Sequence, residues 1–489
     1  MNDQRGRLDQ RTTPLVDALQ HCASRKNAAF YTPGHKRGKG ITPRHKRLFG
    51  ELAFRADLPE LPELDNLFAP EGVILQAQQL AAAAFGAEQT WFLANGSTCG
   101  IEAAILATCG PGDKLILPRN VHSSAISGLI LSGAVPIYMQ PAYNAEWDIS
   151  LDISPNTVES ALAKHPDAKA VLIVSPTYQG ICSNLSAIAQ ITHAHNIPLI
   201  IDEAHGPHFA FHPDLPPSAL SAGVDITIQS IHKVLSAFTQ AAMLHVQGDR
   251  INRTRLSQSL QLTQSTSPSY LLLGSLDAAR YQMATNGKEL ISKTLAIANY
   301  AHQEIEQLPR LNVLNSDDHT RLSINVSSLG ITGFDADDIL HTKCSVTCEL
   351  PTLRSLTFII SLGNTSEDIN QLIKGFTDCE QFSHIQQSPQ SLSEDDFPLS
   401  HSLFSHFPRP SITPRQAFFA SKHPLPLQNT IGQTCAETIT PYPPGIPLLL
   451  PGEIITKSAI AYLQTVLQAG GIITGNSDPT LQTLLTIAD

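Results

Sequence analysis

From Glu71 to about Val246 the chain alternates short, almost wholly apolar runs with longer helix-forming segments, and this rhythm restricts the fold more than any other feature. Thr90-Trp91-Phe92-Leu93, Lys114-Leu115-Ile116-Leu117, Pro136-Ile137-Tyr138-Met139, Ala170-Val171-Leu172-Ile173-Val174, Pro198-Leu199-Ile200-Ile201 and Asp225-Ile226-Thr227-Ile228-Gln229 are too short for buried helices. They read as strands buried on both faces. Helical segments at Gln76 to Phe85 and Gly100 to Thr108 stand among them, with Pro-Gly, Gly and Asn at the turns. The expected fold class is α/β, a large domain whose mostly parallel sheet is covered by helices on both faces. Ligands of such a sheet bind beyond the carboxyl ends of its strands.

At 489 residues the chain exceeds one ordinary core, so smaller domains should accompany the large one. The expected division is an N-terminal segment over 1–70, a cofactor-binding domain over 71–287 and a small α/β domain over 288–379. A linker rich in Ser, Gln, His and Pro follows over 380–410, then a C-terminal domain over 411–489. A net charge of −11 argues against a nucleic-acid or anionic-membrane surface, either of which needs a concentrated basic face. The start, Met-Asn-Asp-Gln-Arg-Gly-Arg, lacks the apolar core of a secretory signal, and the apolar runs are too short or interrupted to span a bilayer, so the cytoplasm is the expected location. The eight cysteines form no C-x-x-C pair, and Cys344 and Cys348 are expected to lie across a strand, so reduced thiols are expected. Among nineteen histidines there is no H-E-x-x-H motif, and no metal site is expected.

The chemistry gathers at two strand ends. Asp202-Glu203-Ala204-His205-Gly206 follows one apolar run, and Ser230-Ile231-His232-Lys233, about thirty residues later, follows another. An acid, an imidazole and an amine at the carboxyl ends of parallel strands suit pyridoxal phosphate, which needs a Schiff-base lysine and a partner for its pyridinium nitrogen. Lys233 at the end of a buried strand is desolvated and so favours its nucleophilic form; the alternative is a surface lysine opening a helix. Asp202 would pair with the pyridinium at an effective dielectric near 20 for about 4 kcal/mol, or else cap the following turn. Gly96-Ser97-Thr98 joins a strand to a helix, where backbone N–H groups and two hydroxyls suit a phosphate dianion or simply cap the helix. His122, after the Lys114 to Leu117 strand, reaches the same edge and is placed to stack on the ring, or to serve a structural role.

These motifs resemble the pyridoxal-phosphate-dependent ornithine/lysine/arginine decarboxylases of the aspartate-aminotransferase fold, or fold type I. Thr32-Pro33-Gly34-His35-Lys36, Leu64-Asp65-Asn66-Leu67, Thr266-Ser267-Pro268-Ser269-Tyr270, Tyr442-Pro443-Pro444-Gly445-Ile446-Pro447 and Pro451-Gly452-Glu453 extend the likeness over most of the chain. The resemblance implies that Ser97 and Thr98 hold the phosphate, that His122 stacks on the ring and that Asp202 pairs with its nitrogen. It sets Ala204 and His205 against the opposite face or flank, gives Ser230 and His232 further phosphate contacts, and makes Lys233 the Schiff base. It also implies a homodimer with shared active sites, in which Thr266 reaches the neighbouring subunit's phosphate, with larger homo-oligomers left open. The triplet reads Gly-Ser-Thr here where relatives often have Gly-Thr-Ser. The short start leaves no room for the N-terminal receiver-like domain of the long relatives, so rings built through that domain are not expected.

The implied reaction is decarboxylation of arginine, lysine or ornithine to agmatine, cadaverine or putrescine, a step toward polyamines. Lys233 or His232 would return the proton to Cα. A basic side chain needs an acidic partner, for which Glu437 and Glu453 are candidates; Glu453 alternatively caps a helix near Thr456, and Glu437 is alternatively solvated. Arginine is favoured among the three. An aminotransferase, for which Arg354 would pair with a carboxylate, a carbon–sulfur lyase and a catalytically silent regulatory homologue are the competing readings.

Overall fold

The computed structural model describes residues 8–383, 412–442 and 445–488; most of the expected 380–410 linker, and Pro443 and Pro444 of the C-terminal motif, lie outside the described residues. The chain forms two compact units, each discontinuous in sequence: Met1–Thr108 with Pro198–Ser292, and Cys109–Ile197 with Lys293–Asp489.

In the first unit four strands lie side by side in the order Gln89–Leu93, Ala242–Val246, Ile226–Gln229, Leu199–Asp202. The last two are parallel, with Asp202 opposite Ile228. Ala242–Val246 runs antiparallel to both neighbours. A fully buried apolar run carries no mark of its direction, so this reversal is invisible in the residues. The Gly96–Thr108 helix packs hard against the strands at Gly100, where an added Cβ would stand 2.7 Å from Leu93 Cδ1 and 3.0 Å from an Ile228 methyl.

Three of the polar residues inside these strands, Thr90, Gln229 and His245, find partners in one chain of bonds that reaches Glu203. Glu203 Oε1 accepts from the Ala219 N–H at 2.7 Å, and its Oε2 accepts from Gln229 Nε2 at 2.7 Å. Gln229 Oε1 lies 3.1 Å from His245 Nε2, and His245 Nδ1 lies 2.8 Å from the Thr90 hydroxyl. Because Gln229 spends its amide on Glu203, its oxygen receives the His245 Nε2 proton, and the Thr90 hydroxyl donates to Nδ1. Burial pushes the His245 imidazole down to about 3 and the Glu203 carboxyl up to about 8, against the two bonds it accepts. One polar residue from each of three neighbouring strands thus ties the sheet to the turn after Asp202.

Two clips fasten the N-terminal part of this unit. Asp65, at φ 68°, accepts N–H bonds from Asn66, Glu71, Gly72, Ile74 and Leu75, and so closes the start of the Val73–Phe85 helix. Its own carbonyl receives the Tyr270 hydroxyl at 2.5 Å. In the Tyr270–Glu306 helix, Asp277 and Arg280 form a fully buried ion pair. Asp277 accepts the Leu15 N–H at 3.0 Å while Arg280 donates to the carbonyls of Gln10 and Thr12. The Pro14–Ser24 helix is thereby held at its first turn.

The second unit has three parallel strands in the order Ala170–Val174, Lys114–Pro118, Val135–Met139. It also contains a four-stranded antiparallel sheet, Asn312–Val313, Arg321–Asn325, Ser355–Ile359, Leu350–Pro351, with a core that includes Leu322, Ile324, Leu340, Leu356 and Phe376. A further core around Cys435, Ile439, Ile455 and Leu463 packs under the Lys457–Gln468 helix. Cys344 ends the Gly333–Cys344 helix and Ser345 turns the chain at φ 54°, so Cys344 and Cys348 flank a turn and not the expected strand. No helix among the described residues is long and apolar enough to cross a membrane.

Two outcomes follow from Asp65 and Glu203 of the first unit. Burial acts to raise the Asp65 carboxyl, but five backbone donors outweigh it and hold the group below its ordinary range. Its stabilisation is therefore present above the unfolded value and is lost as pH falls through the folded one. Asp65→Ala should lower stability at pH 7 by about 2–3 kcal/mol, measured by denaturant unfolding. For Glu203 the sign is reversed. The folded group keeps a proton that the unfolded chain releases between about pH 4.5 and 8, so stability falls across that window by on the order of 4 kcal/mol. Glu203→Gln should flatten the unfolding free energy over the same range.

Candidate active site

Parallel pairing sets the site. Asp202 closes the Leu199–Asp202 strand, and the turn Ile231–Lys233 leaves the adjacent Ile226–Gln229 strand at the same end. Asp202 is buried at 7 % exposure, and its Oδ1 accepts the Ala204 N–H at 3.2 Å. That bond folds the chain into a tight turn, which the Gly206 N–H to Glu203 carbonyl bond of 3.0 Å completes. His205, 3 % exposed, is carried across to Lys233, with Nε2 2.9 Å from Nζ. The expected acid, imidazole and amine therefore belong to one edge of one unit.

The phosphate-binding expectation rests on Gly96, Ser97 and Thr98. Gly96 has φ 76°, a conformation that suits glycine, and it opens the Gly96–Thr108 helix. The Ser230 hydroxyl donates to the Ser97 hydroxyl at 2.8 Å, so two residues far apart in sequence converge at a helix N-terminus. Gln264 and Gln240 hold the backbone just before this turn, the first accepting the Ala94 N–H and the second donating to the Ala94 carbonyl, both at 2.8 Å. Asn95 Oδ1 accepts the Ser265 N–H at 3.3 Å. Thr98 is exposed at this end, and Thr266, beside Ser265, is exposed as well. His232 is turned to other work: its Nδ1 lies 3.0 Å from the Ala241 carbonyl, and its backbone N–H donates to the same oxygen at 3.2 Å. Burial pushes its imidazole down, so it is the neutral ring that donates.

The remaining expected residues belong to the second unit. His122 is the N-cap of the Ser123–Ser132 helix, with Nδ1 accepting the Ser124 N–H at 3.2 Å and 3.0 Å from the Ser124 hydroxyl. Glu453 does not cap the helix near Thr456; Thr456 does that itself, accepting from Ala459 at 3.1 Å. Both Glu453 oxygens face Arg119, Oε1 receiving Nε at 3.0 Å and Oε2 receiving Nη2 at 2.8 Å. Arg119 also donates to the carbonyls of Pro447 and Leu448 at 2.7 and 3.0 Å, and the pair is almost wholly buried. Glu437 is likewise buried, not solvated, and accepts the N–H groups of Ser477 at 2.6 Å and Leu485 at 2.8 Å. The expectation that one of these acids receives a substrate cation is corrected on this geometry: their oxygens already hold a guanidinium and backbone donors. Arg354 donates to the Glu146 carbonyl at 3.3 Å.

Arg119, three residues before His122, carries no role among the expectations from sequence. An arginine at the end of an apolar strand requires a buried acceptor, and that signal was legible. His205 is expected at the cofactor's opposite face or flank, and its contact with Lys233 is visible only in the structure. The polar residues Gln229 and His245, set inside otherwise apolar runs, signalled the Glu203 chain.

A family model described as Orn/Lys/Arg decarboxylase, major domain, matches residues 13–324, and the model of that family's C-terminal domain matches 397–475. Arginine decarboxylase from Bacillus subtilis (strain 168) is 38% identical over 492 residues, covering 99% of this chain and 99% of its own. Constitutive lysine decarboxylase from Escherichia coli (strain K12) is 24% identical over 558 residues, 94% of this chain and 78% of its own. The crystal structure of the Francisella novicida lysine decarboxylase LdcF shares the fold with a TM-score of 0.85 at 23% identity, covering 98% of this chain and 81% of that one. Sphingomonas wittichii serine palmitoyltransferase is similar in fold at a TM-score of 0.54 and 12% identity over 77% of this chain and 86% of its own. The chain belongs to the Orn/Lys/Arg decarboxylase family and is a carboxy-lyase of a basic amino acid.

Proposed function

We propose that this protein decarboxylates arginine to agmatine and carbon dioxide with pyridoxal phosphate held at the Asp202–Lys233 edge. The observation that carries the cofactor is the donor set itself. A buried carboxylate, a half-buried amine and two converging hydroxyls at a helix N-terminus match a ring nitrogen, an aldehyde and a phosphate dianion respectively. The residues fit the group. Arginine is favoured over lysine and ornithine because relatives at 36% to 38% identity, covering 91% or more of this chain, are arginine decarboxylases.

When bound, pyridoxal phosphate supplies a protonated ring that takes up the electron pair left at Cα by departing carbon dioxide. Asp202 holds the proton on the ring nitrogen, and its burial keeps water from competing for that bond. Lys233 would provide the amine that holds the cofactor. Ser97, Ser230 and the N–H groups opening the Gly96–Thr108 helix fix the phosphate, with Thr98 exposed beside them. His232, donating to Ala241, steadies the turn that carries Lys233.

A homodimer is part of the reading. The Pro43–Ala56 helix buries none of its side chains, and Phe30, Leu48, Phe49 and Leu52 stand 59 % to 95 % exposed on the N-terminal segment. The exposed Thr266 suits the role that the family motif gives it toward a neighbouring subunit's phosphate.

Purified protein supplied with pyridoxal phosphate should release carbon dioxide and agmatine from arginine faster than the corresponding products from lysine or ornithine, without added keto acid. Consumption of none of the three rejects the reading, and amino-group transfer that needs a keto acid replaces it with the aminotransferase. Lys233→Ala should abolish turnover while leaving the melting temperature near wild type, and Asp202→Asn should lower kcat by about 10²- to 10³-fold.

A further inference from the structure

A nitrogen-to-nitrogen separation of 2.9 Å between His205 Nε2 and Lys233 Nζ is a hydrogen bond only when one partner carries the proton and the other a lone pair. Two protonated groups would meet donor to donor. The contact therefore excludes the state in which both groups are charged. We propose that His205 is the acid–base partner of Lys233, taking a proton from the ammonium when the amine must act as a nucleophile and returning it when the amine is released. The inference rests on the reading of Lys233 as the cofactor's amine. The balance is simple: lysine ammonium and neutral imidazole become neutral amine and imidazolium, one N–H bond breaking as another forms, with the charge of the pair unchanged.

The two side chains are brought to this contact by anchored turns. His205 follows a residue fixed to Asp202 Oδ1, and Glu203 in the same turn is tied to Ala219 and Gln229. Lys233 closes a turn in which its N–H donates to the Ser230 carbonyl at 3.2 Å. The other ionisable groups on these elements are Asp202, Glu203 and His232. Asp202 engages the Ala204 N–H, Glu203 points to Gln229 and Ala219, and His232 Nδ1 meets the Ala241 carbonyl. His205 is the imidazole on the amine. His232, though adjacent in sequence, is directed elsewhere.

A shared proton leaves a specific mark on reactivity. Neutral amine exists both when the pair has lost its proton and when the imidazole carries it, and the second fraction does not change with pH while the pair holds one proton. The test uses the full-length chain freed of cofactor and an amine-acylating reagent, with the labelling rate of Lys233 followed by peptide mass spectrometry from about pH 5 to 9 and the other lysines as references. Wild-type labelling should fall about tenfold per pH unit from the alkaline end and then flatten to less than about twofold per unit toward the acid end. His205→Asn keeps a polar side chain but cannot take up the proton, and its rate should keep falling about tenfold per unit throughout. A wild-type rate that never flattens overturns the proposal, as does a folded His205→Asn that flattens like wild type. If His205→Asn does not fold, His205→Gln takes its place, and the wild-type slope decides the matter by itself. Labelling requires no cofactor, so this result is separate from the outcome of the carbon dioxide assay.

Discussion

The site depends on one pairing, that of Leu199–Asp202 with Ile226–Gln229 in parallel, Asp202 opposite Ile228. Parallel direction sends the carboxylate and the amine-bearing turn out of the same end, and a slip of one residue would exchange every inward and outward side chain. Both strands are buried throughout, so the polar residues they carry need partners within the protein. Glu203, Gln229, His245 and Thr90 provide them for one another, in a chain that starts in the turn bearing His205 and ends on the strand before the Gly96 turn. The edge that carries Asp202 and Lys233 is thus fixed from beneath by buried polar groups.

Close approach completes the edge. Gly100 lets the Gly96–Thr108 helix press on Leu93 and Ile228, and this brings Ser97 to Ser230. Alanine at 100 would force that helix outward and part the two hydroxyls. The Leu64-Asp65-Asn66-Leu67 motif, by contrast, serves the fold mechanically, since Asp65 gathers five backbone donors and closes the helix that follows it. The Pro447 to Glu453 region is mechanical too, because its carbonyls and carboxylate enclose Arg119. Motifs that mark a family do not all contact its substrate.

The strands, the helix after Gly96 and the placement of Asp202 and Lys233 at strand ends were legible because each depends on local pattern: apolar runs, glycine turns and polar residues just beyond them. The direction of Ala242–Val246 was not, because a fully buried run looks alike either way. The partner of Glu453 lies 334 residues away, and no local pattern spans that distance, so a buried structural acid read as a substrate ligand. His205 was legible as a member of the Asp202 turn, but its contact with Lys233 depends on how two turns are angled, which only three-dimensional structure reveals.

Every role proposed for this edge depends on Lys233 as the amine that carries the cofactor. Reduction of the pyridoxal-phosphate-loaded protein with borohydride, followed by proteolysis and peptide mass spectrometry, tests this directly. The phosphopyridoxyl mass is expected on the peptide containing Lys233, and on no other lysine. The mass on a different lysine, or on none while arginine is still decarboxylated, would contradict that role.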